Sequence, residues 1–270
     1  MGTFGNSWKL TKMSIGVIRK DKELLLLPII SATAMVLLIL SIILPLSYFG
    51  MVESNAAYAI YFGLYFALAF ISIYFNVAII AIATIRLKGG DPHLKDGIRT
   101  ANRHLGSIAK WAVISATVGL LLRILRNYLQ REAGFLGSIF AFVAETAWAL
   151  LTFFIIPVLI FEDRPMIASI KRSGSLFKKT WGETMVAGFV LMLVFLLFMI
   201  VCIIPIAIGA YLLFVVGSFF LGVTLVVIGV CGLVIVISMQ YAAQGVLTAA
   251  LYIYATEGVI PEDFSGASFN

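Results

Sequence analysis

Residues 184–211 read TMVAGFVLMLVFLLFMIVCIIPIAIGAY, and no Asp, Glu, Lys or Arg follows until after Thr256. About 20 apolar residues suffice for a helix to cross the hydrocarbon core of a bilayer. In lipid a segment must satisfy its own backbone hydrogen bonds, which an isolated helix does. The fold class implied is all-α, a polytopic membrane helix bundle. The whole chain agrees: 62% of its 270 residues are apolar and 12% charged, with a mean hydropathy of +1.08. A soluble domain of this size could not hide that surface.

Outward from this run, residues 184–256 have the length for two long helices or three short ones, with Pro205, Gly209 and Gly217 as candidate breaks. Four apolar blocks precede it, at residues 24–49, 57–87, 108–125 and 136–161. Pro28 and Pro45 lie near the ends of the first block, and the second stops at Lys88-Gly-Gly-Asp-Pro92, a glycine cap followed by a helix breaker. Six spans are the economical count. Lys9, Lys12, Arg19, Lys20 and Lys22 precede the first block as in a signal peptide, but residues 24–49 are too long for its apolar region, so a retained span is expected.

Basic residues number five before the first span, six in Arg86–Lys110 and five in Arg164–Lys179, against three in Arg123–Arg131 and none in Gly50–Asn55. Positive charge collects on cytoplasmic loops. A multi-pass protein of the cell membrane is expected, with its N-terminus inside and, for six spans, its C-terminus inside too. The net charge of +6 then points to anionic lipid headgroups and not to nucleic acid, because the cations flank the apolar blocks.

Each basic segment also has helical apolar spacing: Phe4, Trp8, Ile15 and Ile18; Leu94, Ile98, Ala101, Leu105 and Ile108; Ile167, Ile170, Phe177 and Trp181. Three amphipathic interfacial helices are predicted, each followed by an apolar hairpin. Lys12-Met-Ser14 and Val17-Ile-Arg-Lys20 align at one offset with Lys171-Arg-Ser173 and Leu176-Phe-Lys-Lys179. Within one membrane domain, residues 1–270, this pattern gives candidate repeats at 4–90, 91–163 and 164–258. Parallel repeats of this kind imply a pseudo-threefold axis along the membrane normal. The alternative is that basic amphipathic loops simply resemble one another.

Several runs together carry a resemblance: Ser7-Trp-Lys-Leu-Thr-Lys12-Met-Ser14, Asp21 to Pro28, Gly89-Gly-Asp-Pro92 with Asp96-Gly-Ile-Arg99, Phe153 to Pro157 with Glu162, Lys171-Arg-Ser173 with Trp181-Gly, and Leu251 to Gly258. Over nearly its whole length the chain resembles an uncharacterised family of archaeal and bacterial six-span membrane proteins. More loosely it is similar to the membrane domain attached to some glycerophosphodiester phosphodiesterases, whose catalytic domain it lacks. The resemblance implies architecture and transfers no activity.

Polar groups inside spans are expensive and should face protein or water. Glu145 is the sharpest case. It reads either as an ion, proton or cation site, or as a carboxyl kept neutral or close enough to Arg123–Arg131 to be paired. Thr152, Asn76, Gln240 and Gln244 are the other candidates for one intramembrane polar site, with Gln240, Gln244 and Thr248 forming a stripe at steps of four. Lys12, Arg19, Lys20, Arg99, Arg103, Lys171, Arg172, Lys178 and Lys179 are candidate headgroup contacts. Trp111, Trp181, Tyr252 and Tyr254 read as interfacial belts, and Cys202 and Cys231 as buried thiols.

No metal-ligand spacing, phosphate loop or nucleophile motif is present, so no catalytic, metal or cofactor residues are assigned and no cofactor is expected. The functional expectation is a non-enzymatic, transport-class protein with a pathway or cavity for an ion, small solute or lipid. A lipid-binding, membrane-organising scaffold and an accessory subunit of a larger complex are the alternatives, with a homo-oligomer or protein partner allowed.

Overall fold

The computed structural model describes residues 3–21 and 23–265; the side chains of residues 3–8, 55–57, 181–185 and 187 lie outside that description, and with them the expectations for Phe4, Trp8 and Trp181. Nine α-helices run in order among the described residues: α1 Thr3–Lys20, α2 Glu23–Tyr48, α3 Asn55–Leu87, α4 Leu94–Arg103, α5 Leu105–Leu151, α6 Ile155–Phe161, α7 Met166–Lys179, α8 Trp181–Tyr211 and α9 Phe219–Glu257. A short π-helical turn, Leu212–Val216, follows α8, and a 3-10 turn, Glu262–Phe264, closes the chain. Five helical stretches are long and apolar enough to cross a membrane: Glu23–Tyr48, Tyr58–Leu87, Leu105–Phe161, Gly188–Val216 and Phe219–Glu257.

The third of these is folded on itself. At Gly134 the backbone takes φ 54° and ψ −123°, a conformation that residues with a Cβ rarely tolerate. The chain reverses there, and Gly137 packs on the carbonyl of Leu129. Arg126 reaches Glu145 across the turn, although 19 residues of straight helix would hold them about 28 Å apart. Residues 105–133 and 135–151 are therefore two antiparallel arms. The long uncharged run resolves into two helices, with the reversal at Gly217 (φ 75°) and not at Pro205, which α8 absorbs. Gly209 instead lets the two arms approach, its Cα facing the Gly222 carbonyl.

The second arm of α5 breaks before α6. Pro157 has no N–H to offer the Phe153 carbonyl and its ring crowds that position, so residues 152–154 leave the helix. The freed Phe154 N–H donates to Ser173 Oγ at 3.0 Å.

The core sits at one end of the bundle, the end carrying the basic segments. There residues 77–83 of α3, Phe154 with residues 155–160 of α6, and 245–253 of α9 are buried without interruption. Away from it, large apolar side chains such as Leu37, Leu44, Phe62, Phe140, Leu197, Val201 and Phe220 stand exposed. That surface is stable only where lipid takes the place of water.

The short helices dock in a cycle. α4 packs on the α2–α3 hairpin, α7 on α5 and α6, and α1 on α8 and α9. Their packed faces keep most of the apolar positions that the spacing marks, Ile18, Ala101 and Phe177 among them, and add small polar ones. Ser14 and Ser173 are fully buried, as is Ala101, whereas Ile167 is 72% exposed. At Gly97 an added Cβ would lie 2.7 Å from the Ala78 carbonyl oxygen, so α4 touches α3 backbone to backbone. The aromatic belt is corrected in part: Trp111 is buried and stacks on Trp148, and Tyr252 is buried against Phe161. The thiols are also less enclosed than expected, Cys202 being partly buried and Cys231 exposed.

Candidate functional site

Asn76 is the last residue of α3 before its buried run, and on α9 Gln244 sits one residue before the run that begins at Gly245. Gly245 makes this register workable, because α3 crosses there with Ile79 against the glycine. Thr152 and Phe153 come from the break between α5 and α6. Together Asn76, Thr152, Phe153, Tyr241, Gln244 and Thr248 line a cavity of about 330 Å³. By helix rise the site lies about 12–24 Å in from the basic ends of these helices.

The cavity holds hydrogen-bonding capacity that the protein does not consume. Among the described residues, no hydrogen bond reaches the side-chain amides of Asn76 or Gln244. Thr152 Oγ1 and Thr248 Oγ1 bond back to the carbonyls of Trp148 and Gln244, both at 2.8 Å. Tyr241 Oη shares a hydrogen bond with Ser72 Oγ at 3.2 Å. No ionisable carboxylate or cation lines the space. Below it the three buried runs pack together and close the basic end.

Three of the five expected intramembrane polar residues thus meet: Asn76, Thr152 and Gln244. Glu145 does not join them. It pairs with Arg126 across the α5 hairpin, nearer the turn at Gly134. Gln240 lies outside the lining, and Tyr241 takes its place. A separation of eight residues drifts about 80° around a helix, whereas seven returns within about 20°, so Tyr241, Gln244 and Thr248 form the truer stripe.

At the basic end, the helix termini are tied by ion pairs. Arg86 bonds Asp21 at 3.0 Å and Asp91 at 3.2 Å; Lys88 bonds Glu257 at 2.6 Å; Lys20 bonds Asp263; and Glu162 receives Arg164 at 2.6 Å, Arg172 at 3.0 Å and the Tyr252 hydroxyl at 3.3 Å. Of the nine expected headgroup contacts, Lys20 and Arg172 are therefore engaged within the protein, and Lys12 is exposed. Arg19, Arg99, Arg103, Lys171, Lys178 and Lys179 are exposed and, among the described residues, have no partner. Among the described residues no cluster of three His, Cys, Asp or Glu side chains could hold a metal ion.

A family model described as a family of unknown function, DUF6159, matches residues 55–261, and the chain belongs to that family. No curated protein and no solved structure matches the chain, and the looser likeness to the membrane domain of glycerophosphodiester phosphodiesterases gains no support.

Proposed function

We propose that this chain is a non-enzymatic, transport-class protein of the cell membrane whose inner cavity receives a neutral, hydrogen-bonding solute. The observation that carries this reading is the pair of unpartnered amides, Asn76 and Gln244, facing one cavity at membrane depth. Gln244 is exposed and Asn76 half-buried, so at this depth of the bundle both amides are left accessible to water or solute. The volume accommodates about ten waters by their share of the liquid. Each amide offers both donors and acceptors, and the lining has no charge, which fits a neutral guest better than an ion. With Glu145 paired elsewhere, a cation site loses its anchor.

In this reading the chain crosses the bilayer six times, the α5 hairpin counting twice, with the basic loops and both termini in the cytoplasm. Three units of short helix plus hairpin make up the bundle. The cyclic docking of α1, α4 and α7 supports this division. So does a shared ending: Gly89, Asp163 and Gly258 each follow the second arm of a unit at positive φ, and Pro92, Pro165 and Pro261 follow within three residues.

Flux into proteoliposomes tests the reading, with glycerol and urea as probes followed by light scattering. The expected result is permeation above protein-free vesicles that falls about tenfold or more in Asn76→Leu/Gln244→Leu and is unchanged in Glu145→Gln. Rates equal to empty vesicles for both probes would remove the transport reading. Labelling of Lys95→Cys from the inside and Glu132→Cys from the outside of oriented vesicles checks the topology, and the reverse pattern would overturn it.

A second reading, a lipid-binding scaffold, is favoured by six exposed basic side chains that have no protein partner among the described residues.

A further inference from the structure

We propose that a groove between the end of α5 and the outer face of α7 is a binding site for one anionic phospholipid. The site is separate from the inner cavity and does not depend on what that cavity carries.

Leu150 and Leu151 on α5 and Phe177 on α7 wall a space of about 550 Å³, with Gly174 as its floor. Lys171 and Lys178 stand at its two ends. Seven residues separate them, which places both on one face of α7 about 10 Å apart. Both are exposed and, among the described residues, neither has an acidic partner. No carboxylate lines the groove, so nothing there neutralises them. By contrast Arg172, on another face of the same helix, is taken up by Glu162. Lys171 and Lys178 are thus left facing outward beside apolar walls.

The division of chemistry fits one molecule. A phosphate can sit between two ammonium groups, the nearby Ser175 hydroxyl being spent on the Arg172 carbonyl at 2.8 Å, while an acyl chain lies against Leu150 and Leu151. Gly174 lets α7 lie close against α5 at the base of the groove: a Cβ there would come within 2.7 Å of a Leu151 methyl. The bundle leaves this seam accessible, since among the described residues α8 does not pack along α5 as α2 packs on α9 and α5 on α3. A soluble phosphate would find the cations and have no use for the apolar wall, so the two sources separate by experiment.

Native mass spectrometry of the full chain released from detergent, titrated with phosphatidylglycerol, reads the site directly. The expected result is one retained lipid, with phosphatidylcholine held at least tenfold more weakly. Lys171→Gln/Lys178→Gln should weaken the adduct about thirtyfold, two lysines near an anionic headgroup each counting for about fivefold. Arg99→Gln/Arg103→Gln removes the same charge from α4 and should leave that adduct in place. Gly174→Leu keeps both lysines but fills the groove, and should also release the lipid. Circular dichroism melting of each variant confirms that it folds, and for a variant that does not, competition on the wild type by glycerol phosphate supplies the answer. Glycerol phosphate at millimolar concentration should not displace the lipid. Equal loss in the α4 control, equal retention of phosphatidylcholine, or displacement by glycerol phosphate would each overturn the proposal.

Discussion

Ser173 shows how much can hang on one hydroxyl. Its Oγ receives the N–H of Phe154, a backbone donor set free by the break ahead of Pro157 and wholly buried. Ser173→Ala leaves that donor without a partner, a loss of about 1–3 kcal/mol, and the midpoint of thermal unfolding in detergent should fall by several degrees. Ser14, its counterpart in α1, bonds among the described residues only the Leu10 carbonyl of its own helix, at 3.0 Å. Ser14→Ala should cost less, because that carbonyl keeps its helical N–H. Equal losses for the two would mean that volume and not the hydrogen bond governs both. At this scale the sequence was partly legible. Asn76, Thr152 and Gln244 could be singled out because polar side chains in apolar spans are rare enough to stand out. Glu145 carried the same signal, yet whether a carboxylate meets a cation depends on where the opposite arm places Arg126. That is a fact of turn geometry which hydropathy does not encode.

At the scale of the helix, the same chemistry gives opposite outcomes at two glycines. Gly134 turns the α5 hairpin in a conformation that a Cβ makes costly, so Gly134→Val should destabilise by about 1–3 kcal/mol and loosen the Arg126–Glu145 pairing. Gly63, inside α3, has nothing within 4 Å of an added Cβ. Gly63→Ala should be neutral or stabilise by up to about 1 kcal/mol, the helix preference of alanine over glycine. Unfolding midpoints that move in the same direction for both would contradict the assignment of the turn. The apolar blocks themselves were readable, since length and hydropathy are what a bilayer selects. The interruption at residues 152–154 was not expected, although Pro157 was visible. Pro28, Pro45 and Pro205 lie inside α2 and α8 without interrupting them, and a proline breaks a helix only where the freed groups find other partners. The packed faces of the basic segments were legible in part: Ile18, Ala101, Ile108 and Phe177 are buried where their spacing put them, while Leu105 and Ile167 face outward. Apolar periodicity marks a side that avoids water, and on a helix between bundle and lipid that side need not be the one facing protein.

The whole molecule is held together at its basic end, and the last described residues belong to that arrangement. After Gly258 the chain turns back through Pro261, and its 3-10 turn packs on α1. Phe264 is fully buried there and Asp263 pairs with Lys20. The place the tail occupies beside α1 follows the second arm of its unit just as α4 follows α3 and α7 follows α6. Which hairpin a short helix would choose could not be read from the chain, because basic amphipathic segments carry no address until the hairpins stand beside them. Truncating a buried phenylalanine costs about 3–5 kcal/mol when the surroundings cannot move. A terminal segment can instead undock, and the loss is then capped by the free energy of that local opening. Undocking would release α1 on one side and leave untouched the buried runs of α3, α6 and α9. Phe264→Ala should therefore raise amide exchange in the second half of α1 by an order of magnitude or more, while residues 77–83 and 245–253 keep their protection. Exchange that rises equally in all three inner helices would show the tail to be part of the common core and not a clamp on α1.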